Sequence, residues 1–184
     1  MINLALVLLE VSNKLYFSCI IALFKVLVTI ILGCGPYPHL IFFSGKLLAI
    51  MKIEKLSWKD TIFIRHKVLW PNENPRYCIV KGDEEALHFG VSLDGKVVCV
   101  ASVYLDNKSA RLRKFATLNE YQGNGVGTFM LKYLIGELKV CGVEYLWFDA
   151  RESAVEFYKS SGFGVFGERF YKKDVPYFKM DADL

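Results

Sequence analysis

The stretch EYQGNGVGTFML, Glu120 to Leu131, decides the fold. Its three glycines, Gly123, Gly125 and Gly127, join the end of an apolar strand pattern to the start of a helical pattern. Glycine accepts positive φ angles and close backbone approach that a Cβ forbids. The amide groups of such a turn are unpaired at the positive end of the helix dipole, where a phosphate binds well. The turn therefore predicts a phosphate site between a strand and a helix.

The spacing of these glycines excludes two common phosphate motifs. The dinucleotide fingerprint needs a glycine three residues after its second one, and Thr128 stands there when Gly123 and Gly125 are counted as the first two. The Gly-Lys-Ser/Thr of the Walker motif is absent from the sequence. The pattern that fits is Gln-x-x-Gly-x-Gly, formed by Gln122, Gly125 and Gly127.

Strand and helix signals alternate on both sides of the turn. We predict strands at 51–57, 86–93, 96–105, 110–118, 143–150, 163–173 and 176–182, and helices at 58–70, 126–141 and 153–162. Ser57 is the expected N-cap of the first helix, and Gly142 is expected to follow the end of the second. This order predicts one α/β domain with a mixed central sheet of six or seven strands flanked by helices.

A second motif follows the turn about thirty residues later, in DARESAVEFYKSSGF, Asp149 to Phe163. Its Ala-x-x-Phe-Tyr-x-x-x-Gly-Phe pattern is formed by Ala154, Phe157, Tyr158, Gly162 and Phe163. With both motifs, the sequence resembles the GNAT family of N-acetyltransferases from about Met51 to Asp181. The resemblance implies the GNAT fold and transfer of an acetyl group from acetyl-CoA to a primary amine, by direct attack in a ternary complex. It implies no metal.

The resemblance also implies which residues hold the cofactor. The strand before the turn would pair its backbone with the pantetheine arm, and a bulge there would aim an N–H at the thioester carbonyl; the turn itself would bind the pyrophosphate. Arg151 would either contact a cofactor phosphate or lie on a solvated face. The expected cofactor residues are Phe115, Ala116, Thr117, Gln122, Gly123, Asn124, Gly125, Val126, Gly127, Thr128 and Arg151.

Two residues are expected to act in catalysis. Tyr158 stands where the family often has the tyrosine that protonates the departing thiolate, although a packing role is the alternative. The general base is open, because the strand at Arg111–Thr117 lacks the glutamate that many relatives have. His88 is our named candidate; His66, Glu120, Asp149 and a water relay are the alternatives. The loop residues Trp70, Arg76 and Tyr77 would line the acceptor site or lie on the surface.

Composition limits the partners. The net charge of +4 comes without a run of Lys or Arg, which argues against nucleic acid. The five cysteines show no metal-ligand spacing, which favours reduced thiols in the cytoplasm and no metal. The acceptor, a small-molecule or peptide amine, is open, and a homodimer is possible. A GNAT-like module that binds acyl-CoA without turnover is the alternative function.

The first fifty residues differ from the rest. Residues 1–50 carry four charged side chains, and Leu15–Leu32 is an apolar run of 18 residues with one charge, Lys25. Such a run is just long enough to span a bilayer. We therefore divide the chain into a hydrophobic leader, 1–50, and an acetyltransferase domain, 51–184. The leader is a mis-assigned start before Met51, a membrane anchor through Leu15–Leu32, or a targeting or partner-binding segment. An anchor would make this a membrane-tethered enzyme.

Overall fold

The computed structural model describes the backbone of residues 39–43 and 46–50 and the backbone and side chains of residues 51–184. The strands are β1 (His39–Phe43), β2 (Lys46–Lys55), β3 (Leu87–Leu93), β4 (Lys96–Asp106), β5 (Ser109–Thr117), β6 (Tyr145–Arg151), β7 (Gly164–Lys172) and β8 (Val175–Asp183). The α-helices are α1 (Trp58–Leu69), α2 (Val126–Val140) and α3 (Val155–Lys159). Short 3₁₀ turns lie at Pro75–Cys78, Asn119–Tyr121 and Glu152–Ala154.

The described strands form one sheet in the order β1-β2-β3-β4-β5-β6-β8-β7. Neighbouring strands are antiparallel except β5 and β6, which are parallel. The predicted mixed α/β sheet is confirmed: seven strands include residues of 51–184, and β1 adds an eighth at the outer edge. Strand β2 begins at Lys46, and the pairs that join it to β3 run from Met51 to Lys55. The division of the chain at Met51 stays a prediction.

Helix α1 begins and ends where the local sequence predicts. The Ser57 side chain accepts a hydrogen bond from the Lys59 N–H at 3.2 Å, and the Ser57 N–H donates to Asp60 Oδ2 at 3.1 Å. This reciprocal capping box satisfies N–H groups that the first helical turn leaves unpaired. Trp70 follows the last helical residue, because a residue before proline, here Pro71, is disfavoured in the α region.

The core lies between the sheet and the helices. Helix α2 buries Val126, Met130, Leu131, Leu134 and Leu138, at the 3–4 residue spacing of one helix face. The ring centroids of Phe89 on β3 and Tyr133 on α2 lie 5.7 Å apart, so α2 packs on the face of the sheet that carries the Phe89 ring. No helix within the described residues is long and apolar enough to cross a membrane. The predicted Leu15–Leu32 segment lies outside the described residues.

The sheet opens between its two parallel strands. β5 and β6 are paired only from Ser109 with Tyr145 to Leu112 with Phe148. Beyond that point β5 stays with β4, and β6 stays with β8 as far as Arg151. The strands therefore diverge and leave a wedge-shaped cleft at their carboxyl ends. This is the edge at which α/β sheets usually bind ligands.

A β-bulge on β5 lies at the opening. Val100 pairs with Ala116 and Ser102 pairs with Arg113, so Lys114 and Phe115 together face Ala101. Lys114 has a φ of 53°, a left-handed conformation that is uncommon for a residue with a side chain. The predicted bulge is present, and it begins at Lys114, one residue before the predicted range 115–117.

Candidate active site

The opening between β5 and β6 is the entrance to a cleft of about 1030 Å³. The glycine turn forms one end, β5, β6 and α3 form the walls, and the segment after α1 forms the other end. Clefts of this size, with a few convergent polar groups, are the usual sites of small-ligand binding. The two motifs that the sequence singled out, near Gly125 and Tyr158, therefore meet in one cleft.

The glycine turn presents unpaired amides at the start of α2. Gly125 is the N-cap with a φ of 77°, and Gly123 has a φ of 73°. The first helical bond runs from the Phe129 N–H to the Gly125 carbonyl at 2.9 Å, which leaves the amides of Val126, Gly127 and Thr128 without a partner inside the helix. This is the geometry of an anion site at a helix N-terminus.

Side chains hold the turn against the end of β5. Gln122 Nε2 donates to the Thr117 carbonyl at 2.8 Å and to Asn119 Oδ1 at 3.0 Å, and Asn124 Nδ2 donates to the Gln122 carbonyl at 2.8 Å. The glutamine of the motif thus fixes the backbone of the turn with its own side chain. We infer that its role is to orient the amides.

The predicted cofactor residues divide into two groups. Those that line the cleft are Phe115, Ala116, Thr117, Gln122, Gly123, Gly125, Gly127, Thr128 and Arg151. Val126 is 1% exposed and belongs to the core, and neither Val126 nor Asn124 is among the lining residues. Gly127 lies close to aromatic side chains: a Cβ there would be 3.4 Å from the Phe157 ring and 3.8 Å from the Phe115 ring.

Tyr158 lies in the wall of the cleft, on α3. It is 7% exposed, and its ring packs against Phe148, Phe157 and Phe163 with centroid distances of 4.3, 4.9 and 6.2 Å. Burial raises the pKa of the Tyr158 hydroxyl, and the nearby Cys99 adds to this effect. The phenol is therefore protonated at neutral pH, and its ring contacts hold it in place.

Asp149 is the one carboxylate among the described residues that line the cleft. Its Oδ2 lies 2.8 Å from Arg111 Nη2 and 2.7 Å from Lys172 Nζ. Burial raises the pKa of Asp149, but Lys172 and Arg111 outweigh burial and hold the pKa below its ordinary value. Sequence reasoning named Asp149 only as an alternative base and missed its two cationic partners, which come from separate strands.

Arg151 lines the cleft on the side of α1. Its Nη2 donates to the Leu69 carbonyl at the end of α1, its Nε lies 3.3 Å from the Tyr177 hydroxyl, and its guanidinium lies 5.5 Å from the centre of the Trp70 ring. These contacts tie β6 and β8 to α1. The Arg151 guanidinium is therefore already bound to other groups of the protein. Its contact with a cofactor phosphate stays a prediction.

The structure does not bring His88 to the cleft. His88 is 6% exposed, its Nδ1 lies 2.8 Å from Ser102 Oγ, and its Nε2 lies 2.7 Å from the Asp83 carbonyl. Arg65 Nη2 lies 3.2 Å from the same Nδ1. Both ring nitrogens are engaged in a buried polar cluster, so this placement does not support His88 as a catalytic residue. No periodicity signal distinguishes such a histidine from a catalytic one.

Two of the alternative bases, Glu120 and His66, are also absent from the cleft lining, whereas the third, Asp149, belongs to it. Glu120 is exposed and pairs with Lys67 at 3.4 Å. His66 Nε2 lies 2.7 Å from the Glu73 carbonyl, beyond the end of α1. Within residues 51–184 no group of three metal-ligating side chains is present.

The segment after α1 forms the far end of the cleft. Trp70 and Tyr77 line it, with ring centroids 5.0 Å apart in an edge-to-face arrangement, whereas Arg76 is exposed and outside the lining. Lys173, in the turn between β7 and β8, forms an ion pair with Glu73 and lies 4.8 Å from the centre of the Tyr77 ring. Two chain segments a hundred residues apart are thus joined at this end.

The charge of the lining is strongly positive. Among its described residues one is acidic, Asp149, and five are basic: Lys81, Arg113, Lys114, Arg151 and Lys172. The sequence as a whole has a net charge of only +4, so the basic residues are concentrated here by the fold. The cleft therefore attracts anionic ligands.

Known proteins are similar to this chain in sequence and in fold. A family model described as "Acetyltransferase (GNAT) domain" matches residues 66–184. An uncharacterized N-acetyltransferase of Bacillus subtilis, YitI, is 30% identical over 136 residues, which are 69% of this chain and 89% of that protein. The ribosomal protein bS18-alanine N-acetyltransferase of Escherichia coli is 35% identical over 83 residues, 44% of this chain and 56% of that enzyme.

Two solved structures illustrate the likeness in fold. The Escherichia coli ribosomal-protein-S18-alanine N-acetyltransferase superposes with a TM-score of 0.63 at 24% identity, over 72% of this chain and 93% of that one. A GNAT family acetyltransferase from Elizabethkingia anophelis, solved with acetyl-CoA bound, superposes with a TM-score of 0.58 at 12% identity, over 73% of this chain and 98% of that one.

Proposed function

This chain belongs to the GNAT family of acetyltransferases, and on that premise we propose that it transfers an acetyl group from acetyl-CoA to a primary amine by direct attack in a ternary complex. It is an acyltransferase. The observation that carries the finer assignment is that the glycine turn and Tyr158 line the same cleft. One supplies an anion site, and the other supplies a proton donor.

Acetyl-CoA would lie along β5. The amides of the glycine turn would hold its pyrophosphate, because they are unpaired and lie at the positive end of α2. The pantetheine arm would run from the turn along Phe115, Ala116 and Thr117, whose backbone faces the opening that β6 has left. The thioester would then reach the bulge at Lys114, where an amide turned out of the ladder is available to its carbonyl oxygen.

The chemistry needs one bond made, one bond broken and two proton transfers. The amine nitrogen bonds to the acetyl carbon, and the bond between that carbon and the CoA sulfur breaks. The Tyr158 hydroxyl gives its proton to the departing thiolate, as a general acid. The proton lost by the amine nitrogen passes through water and restores the phenol.

The amine must be neutral when it attacks, because an ammonium has no lone pair. Asp149 is a weak base for this purpose, since Lys172 and Arg111 stabilise its charged form. The positive charge of the cleft offers another route, because neighbouring cations lower the pKa of an ammonium. The ammonium of Lys114 shows the same effect: burial lowers its pKa most, and Arg65, Arg113 and Lys172 lower it further, against a raising effect of Cys78.

A second candidate function is an acyl-CoA-binding module without turnover. The observation in its favour is that β5, Ser109–Thr117, carries no carboxylate to act as base. The test of both candidates is to incubate the full chain with acetyl-CoA and a panel of amines, and to follow free CoA thiol and the mass of the acetylated product. A peptide with an amino-terminal alanine belongs in the panel, because one relative is named for that acceptor.

Acetylated product with at least one amine supports the enzyme. Binding of acetyl-CoA without product from any amine supports the binding module. No binding of acetyl-CoA contradicts both candidates.

A further inference from the structure

Four of the five basic residues that line the cleft, Lys81, Arg113, Lys114 and Arg151, form no ion pair with a carboxylate of residues 51–184, and two of these four, Arg113 and Lys114, are neighbours on β5. Arg111 and Lys172 pair with Asp149, but no carboxylate within residues 51–184 forms an ion pair with Arg113 or Lys114. Their recorded neighbours include aromatic rings: the Arg113 guanidinium lies 5.4 Å from the centre of the Tyr104 ring, and Lys114 Nζ lies 5.8 Å from that of Tyr77. Both side chains line the cleft.

The surroundings of Arg113 and Lys114 disfavour the charged forms of both side chains. Burial is the main cause that lowers the pKa of Arg113 and that of Lys114, and neighbouring cations, Arg111 for the first and Arg65 and Lys172 for the second, lower it further. Weaker opposite effects, from Tyr104, Asp149 and Asp83 on Arg113 and from Cys78 on Lys114, do not reverse the direction. The positive φ of Lys114 adds a backbone conformation that is unfavourable for a side chain. A bound anion would relieve this repulsion, since an opposite charge within a few ångströms favours the charged form.

The position of the two residues separates them from the glycine turn. Arg113 and Thr117 pair with Ser102 and Cys99, which are three residues apart on β4, so the two lie about 10 Å apart along the strand. Thr117 is the residue that Gln122 ties to the turn. Arg113 and Lys114 therefore lie towards the end of the cleft that Trp70 and Tyr77 close, where the acceptor would bind, and away from the amides proposed for the pyrophosphate.

The acceptor end is also confined. The segment after α1 lines the cleft, as do Lys172 at the end of β7 and Tyr177 on β8, and the Glu73–Lys173 ion pair joins that segment to the turn between these two strands. The hydrogen bond from Arg151 on β6 to the Leu69 carbonyl adds a link between the sheet and the end of α1. A confined end favours a small molecule over a folded protein surface.

We propose that the acceptor is a small primary amine that carries a carboxylate or phosphate, and that Arg113 and Lys114 bind this anionic group. The inference rests on the proposed function and adds the acceptor class to it. Cationic acceptors such as polyamines are disfavoured, because five cations and one carboxylate line the cleft.

The test uses the full chain with acetyl-CoA and matched pairs of amines that differ in the anionic group: phosphoethanolamine with ethanolamine, and β-alanine with β-alaninamide. Initial rates are measured at two pH values and expressed per neutral amine, so that differences in amine pKa cancel. We expect kcat/KM for the anionic member of at least one pair to be higher by about tenfold or more, the range of a charge-assisted contact. Which pair responds distinguishes phosphate from carboxylate.

Two variants test whether Arg113 and Lys114 cause the preference for the anionic amine. Arg113→Gln and Lys114→Met are each expected to reduce the preference for the anionic amine to about twofold or less. Lys132→Gln removes an exposed cation of α2 outside the cleft lining and is expected to keep the full preference.

Equal kcat/KM for both members of each pair in the unmodified protein overturns the inference while the proposed function stands, and this comparison does not depend on how the variants fold. Retention of the preference in both variants also overturns it. If no amine is acetylated and acetyl-CoA does not bind, the proposed function fails, and the inference fails with it.

Discussion

Arg65 and Asp83 form a two-point ion pair in the interior of the protein: Nη1 lies 2.9 Å from Oδ2 and Nη2 lies 3.0 Å from Oδ1. Their side chains are 0% and 2% exposed. Arg65 also donates to the Cys78 carbonyl at 3.1 Å, and the Tyr104 hydroxyl donates to Asp83 at 2.5 Å. The pair thus attaches α1, and the segment that carries Tyr77, to the sheet behind the acceptor end.

Removing one member of this pair is expected to be costly. Arg65→Met leaves the Asp83 carboxylate buried without its cation, and we expect a loss of about 3–5 kcal/mol in the free energy of unfolding. Urea denaturation measures the loss. Arg169→Met is the matched control, because Arg169 pairs with Glu152 at the surface, where a pair contributes about 0–1 kcal/mol. Equal small losses in both variants would show that the interior pair does not support the fold.

The same pair predicts a pH dependence of stability. Burial raises the pKa of Asp83, but hydrogen bonds from Arg65, Tyr104 and the Val80 N–H, with the charge of Arg65, lower it below its ordinary value. A folded-state pKa below the unfolded one, about 3.9, contributes stability that is present above that value and is lost as pH falls through the folded pKa. We expect the free energy of unfolding to fall steadily below about pH 4.

Asp83→Asn provides the control for this acid dependence. The variant is less stable at neutral pH, and its stability should change less between pH 5 and pH 3, because it lacks the titrating carboxyl. Urea midpoints at a series of pH values measure the slope. An unchanged slope in the variant would assign the acid sensitivity to other carboxyls, with Asp149 the next to test.

Tyr158→Phe tests the proposed general acid. The substitution keeps the ring contacts with Phe148 and Phe163 and removes only the hydroxyl. General acid catalysis contributes about 10²–10⁴-fold, so we expect kcat to fall by about 10²-fold or more, with KM for acetyl-CoA unchanged. Tyr133→Phe, on α2 outside the cleft lining, is the control and is expected to retain kcat. A similar small change in both variants would assign Tyr158 to packing.

Gly125→Ala and Gly142→Ala together distinguish an effect on the proposed phosphate site from an effect on the stability of α2. Both glycines border α2, with φ of 77° and 76°, and an added Cβ meets nothing within 4 Å at either position. Each substitution forces a left-handed alanine, which costs about 1–2 kcal/mol of stability. Only Gly125→Ala alters the turn in the cleft, so we expect a higher Kd for acetyl-CoA in that variant alone, measured by calorimetric titration. An equal effect of both variants on Kd would contradict the assignment of the turn.

A chain that begins at Met51 tests the proposed domain boundary. All five pairs between β2 and β3 use Met51 to Lys55, so this ladder is retained in residues 51–184, whereas the pairing with β1 is lost. We expect the shortened chain to unfold cooperatively and to bind acetyl-CoA with the Kd of the full chain. Aggregation, or loss of cooperative unfolding, would show that residues before Met51 belong to the domain.

Local patterns predicted most of the elements. The capping box at Ser57, the turn at Lys173-Asp174 and the glycine after α2 are set by neighbouring residues, and the structure has each of them. The backbone geometry of the glycine turn was also predictable, because it resides in a few consecutive residues, and the binding of a phosphate there stays a prediction.

What could not be predicted depends on distant residues. The bulge starts at Lys114 because of register with β4, and strand periodicity does not encode register. His88 was a plausible base from the sequence, but in the structure its two ring nitrogens face the Ser102 hydroxyl on β4 and the Asp83 carbonyl, and strand periodicity encodes neither contact. Arg113 forms no ion pair within residues 51–184, because the nearby carboxylate, Asp149, pairs with Arg111 and Lys172. The sequence pattern does not encode this arrangement.

The central claim, that this cleft binds acetyl-CoA, is tested most directly by the melting temperature of the full chain with and without the ligand. At about 100 times its Kd a ligand stabilises the native state by roughly 2.7 kcal/mol. For a domain of this size that corresponds to a rise of about 5–10 °C. We expect such a rise with acetyl-CoA and none with adenosine alone. An unchanged melting temperature at millimolar acetyl-CoA would contradict it.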